Sequence, residues 1–188
     1  MAAVDGRVAR GALNRRAVVQ AFLDLVQEGD LRPTAQRVAE RAGVSLRSVF
    51  HHFEDMEGLL ASAADVHVTE HPLRPLPTTG ALADRIDAFV DQRVEIAEEV
   101  LPVYRAALLA EPFSPVIAGR MSTATNAMRE QLSRVFAGEL RRLGDDRLEA
   151  LDLVSGLDGW ARLRRRQGLS VGRAKRVVRD ALAALLPL

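Results

Sequence analysis

Apolar residues recur three and four positions apart along almost the whole chain, and this spacing restricts its fold more than any other feature. No stretch shows the sustained alternation, or the enrichment in Val, Ile, Thr and Tyr, that is typical of a β-strand. One example is the stripe formed by Leu82, Ile86, Phe89, Val90, Val94 and Ala97, which lies on one face of a helix. We therefore predict an all-α fold.

The composition is that of a globular protein without covalent cross-links. The chain has 188 residues, of which 48% are apolar and 27% charged, and it has no cysteine, which excludes disulfides. The longest apolar runs, 106–110 and 181–186, are too short to cross a bilayer. The first residues, MAAVDGRVARG, lack the apolar segment of a secretory signal. We expect a cytoplasmic protein with no membrane partner.

The net charge of +1 conceals three charged segments. Residues 84–111 carry a net charge of −4, whereas residues 160–188 carry +7. The basic C-terminal segment suits a solvent-exposed face, or a partner for the acidic helix, better than a second nucleic-acid site. Residues 1–16 carry +3, and such an arm is able to contact a polyanion. The arginines that stand out are Arg7, Arg10, Arg15 and Arg16 in the arm, and Arg162, Arg164, Arg165 and Arg166 near the C-terminus.

Capping residues and helix breakers predict where most helices begin and end. Asn14 is the expected N-cap of a first helix over roughly 14–29. The prolines after His71 predict a loop, and Pro102 suits the first turn of a new helix. Three further helices are expected over about 115–143, 146–167 and 170–186.

Between the first helix and the long ones, two short helices are joined by a tight turn. Thr34 is able to cap the first of them, and Gly43 suits the left-handed conformation that ends it. Ser45 is able to cap the second helix, which runs to about Phe53. This pattern predicts a helix-turn-helix, in which the second helix enters the major groove of DNA.

The second helix of the motif exposes side chains suited to reading base edges. Val49 and Phe53 are expected to face the core, whereas Arg47 is able to bond a guanine edge with two hydrogen bonds. The other exposed positions are Leu46, which is able to touch a thymine methyl, with Ser48, His51 and His52.

The segment from Thr34 to Leu60, TAQRVAERAGVSLRSVFHHFEDMEGLL, resembles the DNA-binding head of the tetracycline-repressor (TetR/AcrR) family of bacterial transcription regulators. The body resembles the family in its helix number and in the pattern of Trp160, Leu163, Gly168, Leu169 and Ala174. The resemblance implies a homodimer formed through the last two helices, which pack into a four-helix bundle. It also implies a ligand cavity in the body.

Two residues depart from the family pattern. The family usually has a tyrosine where this chain has Phe50 and a lysine where it has Met56, and both family residues commonly hold the phosphate backbone. Their loss weakens DNA binding and its salt dependence without changing base preference directly. The basic arm, and the amides at the start of a fourth helix expected from Glu54 and Asp55 to about His71, are available to compensate.

The sequence predicts a DNA-binding domain over residues 1–55 and a helical effector-binding and dimerisation domain over residues 56–188. The predicted DNA-binding residues are Arg15, Arg16, Thr34, Ser45, Leu46, Arg47, Ser48, Phe50, His51 and His52. The predicted effector-binding residues are Phe89, Tyr104, Leu108, Phe113, Met121, Thr125, Asn126 and Trp160, most of which would also suit a core.

We therefore expect a ligand-responsive repressor that leaves a palindromic double-stranded operator when a small apolar or amphipathic effector binds. The alternative is a helical ligand-binding or protein-interaction dimer that has lost its affinity for DNA. No catalytic motif is visible, so an enzyme is not expected, and neither is a cofactor. His67 and His71 lie one helical turn apart, but with only Glu70 nearby we expect no metal site.

Overall fold

The computed structural model describes the backbone of residues 2–186 and the side chains of residues 10–144 and 146–186. Arg7 of the basic arm therefore lies outside the described side chains. Residues 2–186 contain helices and connecting turns but no β-strand, which confirms the all-α prediction. Within the same range, none of the helices combines the length and the apolar character needed to cross a bilayer.

The first half of the described chain contains five helices. These are α1 (Ala2–Gln27), α2 (Ala35–Ala42), α3 (Leu46–His52), α4 (Met56–Glu70) and α5 (Leu82–Ala110). A 3-10 turn at Glu111–Phe113 precedes the second half of the chain. That half comprises α6 (Pro115–Val135), α7 (Ala137–Leu143), α8 (Asp145–Ser155), α9 (Leu157–Ala161), a π-helical turn (Arg162–Arg166) and α10 (Val171–Leu185).

The first of two compact units comprises Met1–Glu70 and Pro102–Ser122. Its apolar core joins the helix-turn-helix to α1, α4, the end of α5 and the start of α6. Arg32 adds a polar link, since its Nη2 donates to the carbonyl oxygen of Leu109 at 2.9 Å. The predicted domain boundary at residues 55 and 56 stays a prediction. The most deeply buried core residues here are Val18, Val26, Val38, Val49, Leu59, Ala63 and Ile117.

The second unit comprises His71–Leu101 and Thr123–Leu188. Phe89 of α5 and Phe136 lie in its core, with the two rings edge to face and their centroids 5.3 Å apart. Both side chains are completely buried, and Leu132, Leu151 and Leu182 are almost equally inaccessible. Such burial of large apolar side chains is the main stabilising contribution to the unit.

Acidic residues of α5 pair with basic residues near the C-terminus within this second unit. Arg179 of α10 donates from Nε to Oδ1 of Asp87 at 2.5 Å, and Lys175 pairs with Asp91. The π-helical turn places Arg164 on Glu98, with Nε and Oε1 2.8 Å apart. These contacts confirm the prediction that part of the basic segment is a partner for the acidic helix.

Two predicted helix starts are wrong. Asn14 is not an N-cap, because α1 already begins at Ala2 and passes through it; no proline interrupts the residues before Asn14, and several of them are alanines. Pro102 lies inside α5 rather than at the start of a new helix. A proline removes one helical hydrogen bond, but Pro102 and its neighbours Leu101 and Val103 are buried, and this packing favours a continuous helix.

Two long helices predicted for the second half are interrupted. The helix expected over 115–143 is broken at Phe136, whose backbone leaves the helical region with φ −110° and ψ 24°. The ring of Phe136 is fully buried, so its packing overrides regular helical geometry. The helix expected over 146–167 is broken at Gly156, where a Cβ would lie 2.9 Å from the carbonyl oxygen of Asp152. Only glycine fits such a close approach.

Candidate nucleic-acid interface

The turn between α2 and α3 is closed by two side-chain caps and one glycine. Oγ1 of Thr34 accepts from the amide of Arg37 at 3.3 Å, and Oγ of Ser45 accepts from the amide of Ser48 at 3.1 Å. Gly43 ends α2 in the left-handed region, with φ 67° and ψ 30°. The predicted caps and turn of the helix-turn-helix are therefore confirmed.

Helix α3 has one buried face and one accessible face. Val49 and Phe53 are 1% and 5% exposed, which confirms that both point into the core of the first unit. On the opposite face, Leu46 is 39% exposed and Phe50 is 50% exposed. Arg47 and His51 are also exposed, whereas Ser48 and His52 are half-buried.

The two histidines at the end of α3 differ in their surroundings. Their rings meet edge to face with centroids 5.2 Å apart. Burial lowers the pKa of His52 below its ordinary value of 6.5, and the nearby His51 and Arg15 lower it further. At neutral pH the His52 imidazole is therefore uncharged, with one nitrogen that donates and one that accepts.

Neighbouring arginines of α1 have different contacts. Nη2 of Arg15 donates to Oγ of Ser62 at 2.9 Å, and its guanidinium lies 5.0 Å from the centroid of the Phe53 ring. Arg15 thus links α1 to α4 and to the end of α3. Arg16 is exposed, and among the described side chains it has no ion-pair partner.

The arginines of α2 take part in ion pairs within the head. Arg37 pairs with Asp30. Arg41 donates from Nη1 and Nη2 to the two carboxylate oxygens of Glu28 at 2.9 and 2.7 Å. The hydrogen bond between them lowers the pKa of Glu28 and raises that of Arg41. Arg47 of α3 has no such carboxylate partner among the side chains that the structure describes, so its guanidinium is available to an external acceptor.

Glu54 and Asp55 were expected to start the fourth helix, and the structure shows which of the two caps it. Asp55 caps α4, because its Oδ1 accepts from the amide of Gly58 at 2.8 Å. The sequence contained the signal, since an aspartate directly before a helix is a favoured N-cap. The Asp55 carboxylate therefore occupies one of the helix-start amides that were expected to be available to a phosphate.

The predicted effector-binding residues fall into both compact units. Phe89 and Trp160 are buried in the second unit, where Nε1 of Trp160 donates to Glu98 at 2.7 Å. Phe113 is 81% exposed in the first unit. The others are Tyr104 and Met121, which are half-buried, and Leu108, Thr125 and Asn126, which are exposed. Their role in binding an effector stays a prediction.

A cleft of about 530 Å³ lies within the first unit, between α1 and α4. Its polar walls include Arg15, Arg16 and Gln20 from α1, and Ser62, Asp65, Thr69 and Glu70 from α4. None of the predicted effector-binding residues lines it. The cleft does place both predicted DNA-binding arginines of α1 beside acidic residues of α4.

Several solved structures share the fold of this chain. A transcriptional regulator from Rhodococcus sp. Rha1 superimposes with a TM-score of 0.72 at 22% identity, over 92% of this chain and 95% of the other. The multidrug binding protein EbrR, in complex with imidazole, gives a TM-score of 0.65 at 19% identity, over 93% and 90% of the two chains. A proposed TetR-family transcriptional regulator from Mesorhizobium loti gives 0.60 at 16% identity, over 94% and 96%.

The sequence comparisons concern the head. No curated protein sequence matches the chain. Residues 21–63, which extend from the second half of α1 into α4, match the model of bacterial regulatory proteins of the tetR family. This match contains the whole helix-turn-helix, with both caps and the turn glycine. The head of the chain is therefore similar to that of bacterial regulatory proteins of the tetR family, and the chain as a whole shares the fold of the solved structures.

Proposed function

We propose that the protein is a homodimeric repressor that binds a palindromic operator and leaves it when a small effector binds. Each head inserts α3 into a major groove, while residues of α1 contact the phosphate backbone. The effector binds better to the form of the dimer that does not fit the operator, and this difference in affinity releases the DNA.

The observation that carries the proposal is the exposed Arg47 in the first turn of a capped, internally packed α3. A guanidinium without a protein counter-ion bonds the O6 and N7 atoms of guanine in a two-point geometry. Leu46 adds an apolar surface for a thymine methyl, and Ser48, His51 and His52 supply hydrogen-bonding groups. Arg16, together with Thr34, Ser45 and Phe50 at the edges of the motif, faces the backbone, whereas Arg15 acts through its position in the head.

Exposed apolar residues in the second unit support a dimer formed through the C-terminal helices. Leu153 of α8 is 72% exposed and Val177 of α10 is 42% exposed. The two helices pack against each other, and a contiguous apolar patch on neighbouring helices is a surface that a partner is able to cover. A second copy of the same helices would complete the four-helix bundle.

The test is fluorescence anisotropy of the purified chain on DNA from its own upstream region, titrated over salt concentration. We expect tight binding with a steep salt dependence, and a variant Arg47→Ala that binds with relaxed base preference. Arg141→Ala, in α7 of the second unit, is a matched control that removes the same charge. Weak binding that Arg47→Ala leaves unchanged would refute the proposed DNA contact.

The alternative function, a ligand-binding or protein-interaction dimer without DNA affinity, is favoured by one observation. Phe50 is half exposed on α3 yet lacks the hydroxyl that holds a phosphate in the family. The variant Phe50→Tyr restores that hydroxyl. If wild type fails to bind the upstream DNA and Phe50→Tyr together with Met56→Lys binds it, the alternative describes the natural protein.

A further inference from the structure

Helix α5 buries two arginines that differ in their contacts. Arg85 is 7% exposed and donates to both carboxylate oxygens of Glu139, at 3.1 and 2.5 Å, and to the carbonyl oxygen of Val135 at 2.8 Å. Only its Nε lacks a partner. The charge of this arginine is therefore neutralised within the second unit.

Arg93 is still less accessible, at 5% exposure, but it has no such partner. Its Nη2 donates to the carbonyl oxygen of Met128 at 2.7 Å, and its guanidinium lies 4.6 Å from the centroid of the Phe89 ring. Nη1 has no hydrogen-bond partner, and among residues 10–144 and 146–186 no carboxylate lies within ion-pair distance of the guanidinium. A buried cation without a counter-ion is costly to a fold.

The acid that acts on Arg93 is already engaged by another arginine. Asp152 raises the pKa of Arg93, but burial is the larger effect and lowers that pKa to about 10. Oδ2 of Asp152 accepts from Nη1 of Arg129 at 2.8 Å. Arg93 thus stays protonated at neutral pH, while its local counter-charge is shared with a second cation.

A second unsatisfied polar group lies on the same pair of helices. Gln131 is 4% exposed, and its Nε2 donates to Oε1 of Gln92 at 2.9 Å and to the carbonyl oxygen of Arg74 at 2.8 Å. Its Oε1 has no partner. Gln131 follows Met128 by one helical turn on α6, and Gln92 precedes Arg93 on α5, so both unsatisfied groups lie where α5 and α6 pack together.

We infer that Arg93 binds the carboxylate of an amphipathic effector, through Nη1, between α5 and α6 of the second unit. A carboxylate is the anion that satisfies a guanidinium N–H in an apolar interior, and the buried ring of Phe89, 4.6 Å from the guanidinium, makes the surroundings of Arg93 apolar. The inference rests on the proposed function, since it gives the chemical class of the effector. It also explains why Arg93, unlike Arg85, has no carboxylate partner of its own on a neighbouring helix that the structure describes.

Binding of defined probes to the purified full chain, measured by isothermal titration without DNA, tests the inference. The probes are benzoate and octanoate, each compared with its uncharged amide, benzamide or octanamide. We expect at least one carboxylate to bind about tenfold or more tightly than its amide, as a hydrogen bond to a charged group provides. Equal binding of each acid and its amide, or no binding by either acid, would overturn the inference.

Variants of Arg93 separate its role from general effects on the fold. Arg93→Met removes an unneutralised buried charge, so we expect it to fold and to lose the preference for the acid over the amide. Arg93→Lys keeps the charge and should retain part of the preference. The control Arg134→Met, which removes an exposed arginine of α6 paired with Glu130, should retain all of it. A preference that survives in folded Arg93→Met contradicts the assignment.

The same probes, added to the complex with upstream DNA, distinguish this inference from the proposed function. If the acid binds through Arg93 and lowers the anisotropy of labelled DNA, both stand. If the chain binds the acid but never binds DNA, the proposed function fails and the carboxylate site stands. If DNA binds with the expected salt dependence and no acid binds, the inference alone fails.

Discussion

Asp65 of α4 and Arg120 of α6 form a two-point ion pair in which Nε and Nη2 of the arginine each lie 2.9 Å from a carboxylate oxygen. The hydrogen bond to Asp65 raises the pKa of Arg120. The pair joins the helix that follows the helix-turn-helix to the helix that extends into the second unit. The ion pair is therefore a polar link between α4 and the start of α6 within the first unit.

A double-mutant cycle with Asp65→Ala and Arg120→Ala measures the strength of this pair. The side chains of Asp65 and Arg120 are 58% and 38% exposed, so solvent screens their attraction. We expect a coupling free energy of about 0.5 kcal/mol in urea unfolding, falling as salt is added. A coupling above about 2 kcal/mol, or one that salt leaves unchanged, would contradict this assignment as a surface pair.

The buried pair of Arg85 and Glu139 should contribute far more to stability. Arg85→Met leaves the Glu139 carboxylate buried without its counter-ion, so we expect the free energy of unfolding to fall by about 3–5 kcal/mol. The double variant with Glu139→Leu removes both charges and should recover most of that loss. Arg134→Met, at an exposed pair, is the control and should cost under about 0.5 kcal/mol. If Arg85→Met lowers the free energy of unfolding no more than the control does, the pair is not buried.

The same carboxylate gives a pH dependence with a defined sign. Arg85 hydrogen-bonds Glu139 and holds its pKa below the ordinary value of 4.5. A lowered folded pKa stabilises the fold above the unfolded pKa, and this contribution is lost as the pH falls through the folded pKa.

We therefore expect wild type to lose more free energy of unfolding than Glu139→Gln between about pH 5 and pH 3. Chemical unfolding at several pH values measures this difference. Glu28, Glu95, Glu98 and Glu149 also have lowered pKa values, so both proteins should lose stability in acid. Parallel curves for wild type and variant would show that the folded pKa of Glu139 is not lowered.

The sequence predicts contacts between residues that are close together in the chain, but not contacts between residues that are far apart. The caps of α2 and α3 join residues three positions apart, so Thr34 and Ser45 were recognisable without a structure. The pair of Asp65 and Arg120 joins positions 55 residues apart. No local pattern marks such a contact, because it forms only after the helices have packed.

The errors in helix boundaries have the same origin. Pro102 is a local breaker, but burial of its neighbours keeps α5 continuous. Phe136 carries no breaking signal, yet its packing against Phe89 interrupts the helix. The contrast between Arg85 and Arg93 was equally invisible, since both are arginines on one helix and only the facing residues distinguish them. Tertiary packing therefore decided what local propensity could not.

Arg15 and Arg16 should respond differently to replacement by alanine. Arg16 is exposed and without an ion-pair partner among the described side chains, so Arg16→Ala should leave stability unchanged and reduce the salt slope of DNA binding by about 0.9. Arg15→Ala removes the hydrogen bond to Ser62 and the contact with Phe53, and should lower the free energy of unfolding by about 1 kcal/mol. Anisotropy over a salt series and urea unfolding measure the two effects. If Arg16→Ala leaves the salt dependence of DNA binding unchanged, Arg16 does not contact the DNA.

The proposed dimer surface is tested by placing a charge on it. Leu153 of α8 is 72% exposed, and Leu153→Glu would put a carboxylate into an apolar interface, where it lacks a partner. We expect light scattering to give twice the chain mass of 20.5 kDa for wild type and a single chain mass for the variant. The matched control is Val68→Glu on α4, where the valine is 64% exposed but lies in the first unit. Val68→Glu should stay dimeric. If Leu153→Glu also forms a dimer as tightly as wild type does, the interface lies elsewhere.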